Sequence, residues 1–396
     1  MHSPSRTCST SPPVPVYDVS VITSGHDVAD ARLHRIVAAF VRAGLSVEVL
    51  ATGMACTGPP GAQVRTWPKR GLVARAARAA ILPWRAGGAV LLTLDPDSAL
   101  GAALAGIVRR RRHVADVHED YAELLRDRAW ARGWRGRIAV SVVRLAVRAT
   151  ERADLTIVAD EHLPPPADRC RRRLVVPNLP DLTMVKISSG GADAGTPRAV
   201  YIGDVRRSRG LETMVEAVAT APSWVLDIVG PVDTRDAMWL DRRIRQADVA
   251  GRIRLWGRQP PEAAWRIAEG ADVGLALLDE TPAFRAALPT KVYEYLAAGM
   301  AVLATPLPRV TRLLSEVGAG KVVRDAPEAA SVLRCWGGAG SGDLHQLQAA
   351  AWSWRTVFAR SRSPYQLLAE ELVTMSHEDG HTNQLPTGRR RTIRFL

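Results

Sequence analysis

The chain has few cysteines and few lysines, and it lacks any long apolar run. Its 396 residues include four scattered cysteines, Cys8, Cys56, Cys170 and Cys335, which form no Cys-x-x-Cys pair. This spacing argues against a zinc site or a disulfide framework and is typical of the reducing cytosol. No uncharged apolar stretch reaches about 18 residues, and the proline-rich N-terminus lacks the apolar core of a signal peptide. We therefore expect a cytoplasmic protein without a transmembrane helix.

Because lysine is so scarce, the net charge of +13 is almost entirely an arginine charge. Arginines form a block at positions 109–112, and others interleave with Trp130 and Trp134 between Arg126 and Arg137. Arginine and tryptophan beside an amphipathic helix predict association with the inner face of an anionic membrane. A solvated basic face is the alternative. No nucleic-acid-binding motif is present, and net charge alone is weak evidence, so we expect no nucleic-acid partner.

Strand-like and helix-like segments alternate along the chain. Residues 16–23 read as a buried strand, 29–43 as a helix and 46–51 as the next strand, whereas 54–68 reads as a loop because of its Gly-Pro-Pro-Gly cluster. The alternation repeats after residue 198. It predicts an α/β fold with two doubly wound Rossmann-like domains facing across a cleft, with ligands beyond the C-terminal ends of the strands.

Composition places the domain boundaries. We expect a disordered N-terminus at 1–13, a first domain at 14–180 and a Ser/Gly-rich linker at 181–197. A second, nucleotide-sugar-binding domain is expected at 198–350, and C-terminal helices at 351–376 are expected to return to the first domain. The polar, basic segment 377–396 is expected to be a disordered tail.

The segment 288–305 is the most informative stretch. It contains Pro289-Thr290-Lys291, then a short helix that closes at Gly299, then a strand. A helix that begins behind a strand offers free N–H groups and a positive dipole end to an anion. Glu294 lies one turn inside, where a carboxylate can accept two ribose hydroxyls. An ordinary helix with an exposed glutamate is the alternative.

This segment resembles the donor-site motif of the group 1 (GT4-type) glycosyltransferases, which have the GT-B fold. Four other segments resemble that family in the same order: 16–50, 114–121 with its Asp-x-His-Glu sequence, 175–178, and 201–211. The resemblance covers residues 14–375. It implies a retaining glycosyltransferase that moves a sugar from a nucleoside-diphosphate sugar to an unknown acceptor, which could be a glycan, a lipid-linked molecule or a natural product.

The resemblance assigns the donor side to the second domain. Arg209, Thr290 and Lys291 would hold the diphosphate, and Glu294 the ribose. The family's more N-terminal basic residue is Asp204 here, so either Arg206 or Arg207 would replace it. Gly25, from the first domain, would let the backbone approach the diphosphate closely. A tight turn at Gly25 and solvated arginines are the alternatives.

The acceptor side would lie in the first domain. His118 is the candidate catalytic residue near the transferred sugar, with His26 and Glu119 close to the acceptor. Arginines and a helix dipole can stabilise the leaving diphosphate, so we expect no metal and no tightly bound cofactor. Asp95-Pro96-Asp97 looks like a metal-binding Asp-x-Asp motif, but it lies in the wrong domain, and Asp97 with Ser98 suits a helix N-cap better.

One departure keeps other functions open. Many relatives carry two glutamates seven residues apart, and the first of them falls at Ala286 here. A GT-B-fold accessory or binding subunit with impaired catalysis is therefore one alternative. A sugar-nucleotide epimerase is another, although the acid and base groups of such an enzyme cannot be placed.

Overall fold

The computed structural model describes residues 16–118, 133–187, 195–285, 288–338 and 341–377. The chain splits into two compact units. Unit 1 is Met1–Pro177 together with Pro364–Leu396, and unit 2 is Asn178–Ser363. Glu119, Ala286, and the Arg126–Arg137 segment up to residue 132 lie outside the described residues.

Within the described residues, unit 1 is built on a parallel sheet with the strand order β3-β2-β1-β4-β5-β6-β7. The strands are β1 (Tyr17–Asp27), β2 (Val47–Thr52), β3 (Gln63–Trp67), β4 (Gly88–Thr93), β5 (Arg112–Val117), β6 (Leu155–Val158) and β7 (Arg173–Val175). The order reverses between β1 and β4. At such a switch point the loops leave the sheet in opposite directions and open a ligand site.

The described part of this unit has four helices that follow strands: α1 (Ala31–Arg42), α2 (Leu72–Arg85), α3 (Pro96–Arg109) and α4 (Gly133–Glu151). Asp30 starts α1 because its side chain accepts hydrogen bonds from the backbone N–H groups of Arg32 and Leu33. The apolar stripe of α1, which includes Ile36 and Phe40, is buried against the sheet. Helices α2 and α3 cover the opposite face with Leu82, Ala102 and Ala105.

Unit 2 has a second parallel sheet, with the order β10-β9-β8-β11-β12-β13. Its strands are β8 (Arg198–Ile202), β9 (Val225–Val229), β10 (Ile253–Gly257), β11 (Val273–Ala276), β12 (Ala301–Ala304) and β13 (Gly320–Val322). Here the order reverses between β8 and β11. The sequence therefore predicted the right class, two doubly wound α/β units.

The helices of unit 2 cover both faces of its sheet. They are α5 (Leu211–Thr220), α6 (Thr234–Arg243), α7 (Pro261–Ala268), α8 (Pro282–Arg285), α9 (Thr290–Ala298), α10 (Pro308–Val317), α11 (Ala326–Trp336) and α12 (Ser341–Phe358). Trp224 and Trp336 are fully buried on the α5 and α11 side, and Tyr295 on the α9 side.

The last described helix, α13 (Pro364–His377), belongs to unit 1, where it packs against α1 through Leu368 and Leu372. The sequence assigned 351–376 to helices returning to the first domain, but α12 up to Phe358 lies in unit 2. None of the helices described is long and apolar enough to cross a membrane.

Two local predictions were wrong. The expected loop 54–68 contains β3, an edge strand that pairs only with β2 and is half exposed, so its apolar pattern is weak. The expected N-cap at Asp97 is also wrong, because α3 begins at Pro96 and Asp95 occupies the N-cap position. Proline fits the first helical position since it needs no N–H partner there.

Candidate functional site

The candidate donor site lies at the switch point of unit 2. The loop 203–210 follows β8, and the chain that enters α9 follows the neighbouring strand β11. Both segments therefore leave the same edge of the sheet side by side. This is where open α/β sheets bind their ligands.

Lys291 lies in the first turn of α9 and is only 7% exposed. Its Nζ has no hydrogen-bond partner among the described residues and lies 3.6 Å from the ring centroid of Tyr201. Burial lowers the pKa of this ammonium well below its ordinary value, and the nearby charge of Arg209 lowers that pKa further. The Lys291 Nζ is thus buried against an aromatic face, with Arg209, Glu294 and Asp204 as nearby charges and no hydrogen-bond partner among the described residues.

The first turn of α9 carries no side-chain cap, because Pro289 occupies the N-cap position and no acidic residue follows in that turn. Helix α9 is held firmly in place by Tyr295, whose hydroxyl accepts a bond from the Ile202 N–H (3.1 Å) and donates to the Leu275 carbonyl (3.3 Å). Glu294, the residue before Tyr295, is also buried. The helix N-terminus is therefore fixed against β8 and β11 with its backbone dipole uncompensated by acid.

Two glycines shape the loop that faces Lys291. Gly203 has φ 141, and a Cβ at this position would lie 3.1 Å from the Lys291 Nζ. Gly210 has φ 82, and a Cβ there would lie 1.8 Å from the Leu277 carbonyl oxygen. Both conformations are strained for any other residue, and both positions are crowded. The sequence needs glycine here so that the loop can pass close to β11 and to the lysine.

The three arginines of this loop have different surroundings. The Arg209 guanidinium lies 5.8 Å from the Phe284 ring, and its Nε is buried with no hydrogen-bond partner among the described residues. Arg206 donates to the Asp204 carboxylate at 3.0 Å. Arg207 pairs with Asp236 at 3.2 Å and with Glu212 at 3.0 Å. The Arg209 Nε of the loop and the Lys291 Nζ of α9 are thus donors that the described residues leave unsatisfied.

At the switch point of unit 1, the carboxylate of Asp95 organises the end of β1. It accepts hydrogen bonds from the backbone N–H of Ser24 (2.8 Å), the N–H of Gly25 (3.1 Å) and the hydroxyl of Thr23. The sequence predicted that Gly25 lets a ligand approach its backbone. A Cβ on Gly25 would instead meet the guanidinium of Arg75, at 2.6 Å, so this side of the glycine is already covered.

Arg75, on α2, went unnoticed in the sequence. Its Nε donates to the Asp97 Oδ2 (2.8 Å) and its Nη2 to the Asp95 Oδ1 (3.4 Å). Asp97 also accepts a bond from the Ser24 hydroxyl at 2.9 Å. Burial by itself would raise the pKa of Asp95, but the opposing effects of His26 and Arg75 outweigh it and lower that pKa. Both aspartates of the Asp-x-Asp pair therefore already make hydrogen bonds within this chain.

His26 and His118 meet edge to face, with ring centroids 4.9 Å apart. His26 Nε2 lies 3.6 Å from the Asp95 carboxylate, and His118 Nδ1 lies 3.7 Å from that of Asp116. Asp116 is fully buried and takes a two-pronged bond from Arg32, with both N···O distances 2.7 Å. Although burial opposes ionisation, Arg32 holds the pKa of Asp116 well below its usual range. Each histidine thus lies beside an ionised carboxylate.

A comparison with family models gives a match that lies within unit 2. The sequence model described as "Glycosyl transferases group 1" matches residues 186–331. A Bacillus subtilis (strain 168) protein named for teichuronic acid biosynthesis, the glycosyltransferase TuaH, is 27% identical over 114 residues. That match spans 28% of this chain and 28% of TuaH.

Solved structures resemble the fold over most of the chain. The lipopolysaccharide glycosyltransferase WaaG has a TM-score of 0.60 at 15% identity, covering 90% of this chain and 99% of WaaG. Sucrose-phosphate synthase from Thermosynechococcus elongatus has a TM-score of 0.57 at 16% identity, covering 87% and 99%. Anabaena Alr3699/HepE, solved with UDP-glucose, has a TM-score of 0.57 at 14% identity, covering 92% and 98%. The predicted resemblance to the group 1 glycosyltransferases is therefore supported over residues 186–331, and the chain has the GT-B fold of these solved structures.

Proposed function

We propose that the chain is a retaining glycosyltransferase and that unit 2 binds its nucleoside-diphosphate sugar donor. The observation that carries the proposal is the buried ammonium of Lys291, which has no hydrogen-bond partner among the described residues, at the uncapped start of α9. The Anabaena protein of the same fold has been solved with UDP and with UDP-glucose, which supports a donor of this chemical class.

A buried charge without a partner destabilises the fold, and folded proteins rarely keep one without a function. A diphosphate would supply the missing negative charge to Lys291, to Arg209 Nε and to the free N–H groups around Thr290. The same groups would stabilise the charge that develops on the diphosphate as the glycosidic bond breaks. Binding and leaving-group stabilisation would then come from one set of residues.

The remaining proposed donor contacts come from α9 and from the loop after β8. Glu294 lies on the helix that carries Lys291, and we propose that it accepts the ribose hydroxyls. Arg206 is the better candidate for the second loop cation, since it pairs with Asp204, whereas Arg207 makes ion pairs with both Asp236 and Glu212. We propose that catalysis needs no divalent metal, because arginine, lysine and a helix terminus provide the positive charge.

In unit 1, His118 is proposed to contact the reacting centre, with His26 and Glu119 on the acceptor side. Asp116 lies 3.7 Å from the His118 Nδ1, and His118 would present its other ring nitrogen to a sugar hydroxyl. Gly25 keeps its proposed role only if the ligand approaches from the side that Arg75 does not cover. The acceptor stays unassigned among a glycan, a lipid-linked molecule and a natural product.

A donor-panel experiment tests this proposal. Purified protein is mixed with uridine, guanosine and adenosine diphosphate sugars, and the melting temperature is recorded, since a ligand that binds only the folded state raises it. The donor that binds is then followed for nucleotide release in excess chelator, and the anomeric configuration of the product is read by NMR. A donor that binds without turnover would favour the accessory-subunit alternative. If no nucleotide sugar raises the melting temperature, the proposal is wrong.

A further inference from the structure

Asp204 places a carboxylate among the cations of the candidate donor site. Its Oδ2 accepts a hydrogen bond from the Arg206 Nη2 at 3.0 Å, and its Oδ1 lies 3.9 Å from the Arg258 Nη2. Arg206 belongs to the loop after β8, and Arg258 directly follows β10. Because β8, β9 and β10 are parallel neighbours, one carboxylate joins arginines from two loops at the same edge of the sheet.

The backbone of Asp204 is held in place by its neighbours. The Val205 N–H donates to the Pro231 carbonyl at 2.9 Å. The Tyr201 hydroxyl donates to the carbonyl of Asp204 itself at 2.6 Å. The ring centroid of the same tyrosine lies 3.6 Å from the Lys291 ammonium. Asp204 and Lys291 therefore both contact one aromatic side chain, which fixes the loop that carries the carboxylate relative to the buried ammonium.

The charge of Asp204 acts where the proposed function places the diphosphate. The side chain is 48% exposed, so its carboxylate faces the space that a ligand would enter. Its partner Arg206 is a proposed diphosphate contact, and its negative charge raises the pKa of Lys291 against the larger lowering effect of burial. An anion bound by Arg206 and Lys291 would therefore lie close to a fixed negative charge.

We propose that Asp204 is a specificity-determining residue that favours a nucleoside-diphosphate sugar over the free nucleoside diphosphate. The inference rests on the proposed function, because these two ligands are the donor and the leaving group of that reaction. When the bond between the sugar carbon and the diphosphate oxygen breaks, its electron pair stays on the diphosphate. The acceptor hydroxyl forms the new bond to the sugar carbon, and its proton goes to solvent.

The leaving diphosphate therefore carries one more negative charge than the donor once its terminal phosphate is fully ionised, as it is at about pH 8. Asp204 repels this additional charge more than it repels the sugar ester. The arginines and the lysine of the site still make binding of both ligands favourable. The carboxylate would thus weaken the product relative to the donor and help the product to leave.

The test compares both ligands by calorimetry with the full chain and the variant Asp204→Asn at about pH 8. The probes are the diphosphate sugar that raises the melting temperature of the unmodified protein and its own nucleoside diphosphate. Asparagine keeps the size of the side chain and removes its charge, so both ligands should bind more tightly. The free diphosphate should gain roughly three- to tenfold more affinity than the sugar ester, and added salt should shrink this difference.

Two further variants serve as controls. Asp204→Glu keeps the charge and should preserve the ratio of the two dissociation constants. Glu316→Gln neutralises an exposed carboxylate that pairs with Arg312 at 2.8 Å near the end of α10, at the opposite edge of the sheet, and it should change neither constant. Urea unfolding checks that each variant folds, and Asp204→Ser removes the same charge should the asparagine variant not fold.

Each outcome separates this inference from the donor assignment. An unchanged ratio in Asp204→Asn would overturn the inference and leave the donor site in place. Weaker binding of both ligands would also overturn it, because Asp204 would then serve to hold Arg206 and Arg258 for the ligand. So would a loss confined to the sugar ester, which would indicate a contact with the sugar. If no nucleoside-diphosphate sugar binds the unmodified protein, the proposed function is wrong, and the inference falls with it.

Discussion

Replacing Lys291 with methionine is expected to stabilise the protein and, at the same time, to weaken donor binding. The change removes a buried ammonium and keeps a flexible apolar chain of similar volume against Tyr201. Exchanging a buried charge for an apolar group is commonly neutral or stabilising by about 1–4 kcal/mol. We therefore expect the free energy of unfolding of Lys291→Met to equal or exceed that of the unmodified protein.

Donor binding, in contrast, should become weaker in Lys291→Met. A charge-assisted hydrogen bond contributes about 1.5–3 kcal/mol, so the Kd of the donor should rise roughly tenfold to a hundredfold or more. Lys321→Met is the matched control, because that lysine is half exposed and lies 3.5 Å from Asp343 at the surface. It should change neither quantity by more than about 0.5 kcal/mol.

The pKa of Lys291 gives a second, independent signal. Its pKa is lowered in the folded protein, and a bound diphosphate would raise it again, so donor binding should take up protons above the lowered pKa. Calorimetry in two buffers of different ionisation enthalpy measures this uptake, and Lys291→Met should abolish it. Unfolding in urea gives the stability. A destabilised Lys291→Met variant that binds donor normally would refute the reasoning.

Three further predictions concern single residues. Glu294→Gln should weaken donor binding by roughly 1–3 kcal/mol through the lost ribose contact, and unchanged affinity in calorimetry would remove that role. Burial lowers the pKa of His113 to about 4 from 6.5, so its neutral form is favoured on folding. Its contribution to stability is complete above pH 6.5 and declines by up to about 3 kcal/mol towards pH 4. Urea titrations of His113→Gln between pH 4 and 7 should lack this slope, and an unchanged slope would exclude His113 as its source. Arg75→Gln should destabilise by about 1–3 kcal/mol because Asp95 and Asp97 lose their common partner, whereas Arg78→Gln on the exposed side of α2 should have little effect. Equal unfolding curves for the two arginine variants would contradict the Arg75 prediction.

The sequence predicted the parts of the fold that local patterns determine. The alternation of buried strands with helices indicated both doubly wound sheets, and the Pro-Thr-Lys segment correctly marked the start of α9. It missed β3 because an edge strand buries little and keeps a polar pattern. It also missed α2, and therefore missed Arg75.

Arg75 shows why site residues are harder to predict than elements. It meets Asp97, 22 positions later in the chain, only because α2 packs against α3 and the end of β1. The same limit applies to Tyr201, whose ring lies over Lys291 because β8 is adjacent to β11. Such contacts depend on strand order, and a single sequence does not encode strand order in any short pattern.

The two switch points differ in how their charges are balanced, and the difference bears on what each can bind. In unit 1, Arg32 pairs with Asp116 and Arg75 with both Asp95 and Asp97, so two arginines face three carboxylates around His26 and His118. Such a site offers hydrogen bonds without an excess of positive charge, which suits hydroxyl groups better than phosphates.

In unit 2, the described residues leave the Lys291 ammonium and the Arg209 Nε without hydrogen-bond partners beside an uncapped helix start. These unsatisfied donors are expected to lower the stability of the free protein, and an anionic ligand would offset that cost on binding, although Glu294 and Asp204 already balance part of the Lys291 charge. The proposed function would use this difference: the unsatisfied cationic donors of unit 2 would bind the diphosphate, and the histidines beside Asp95 and Asp116 in unit 1 would contact hydroxyl groups.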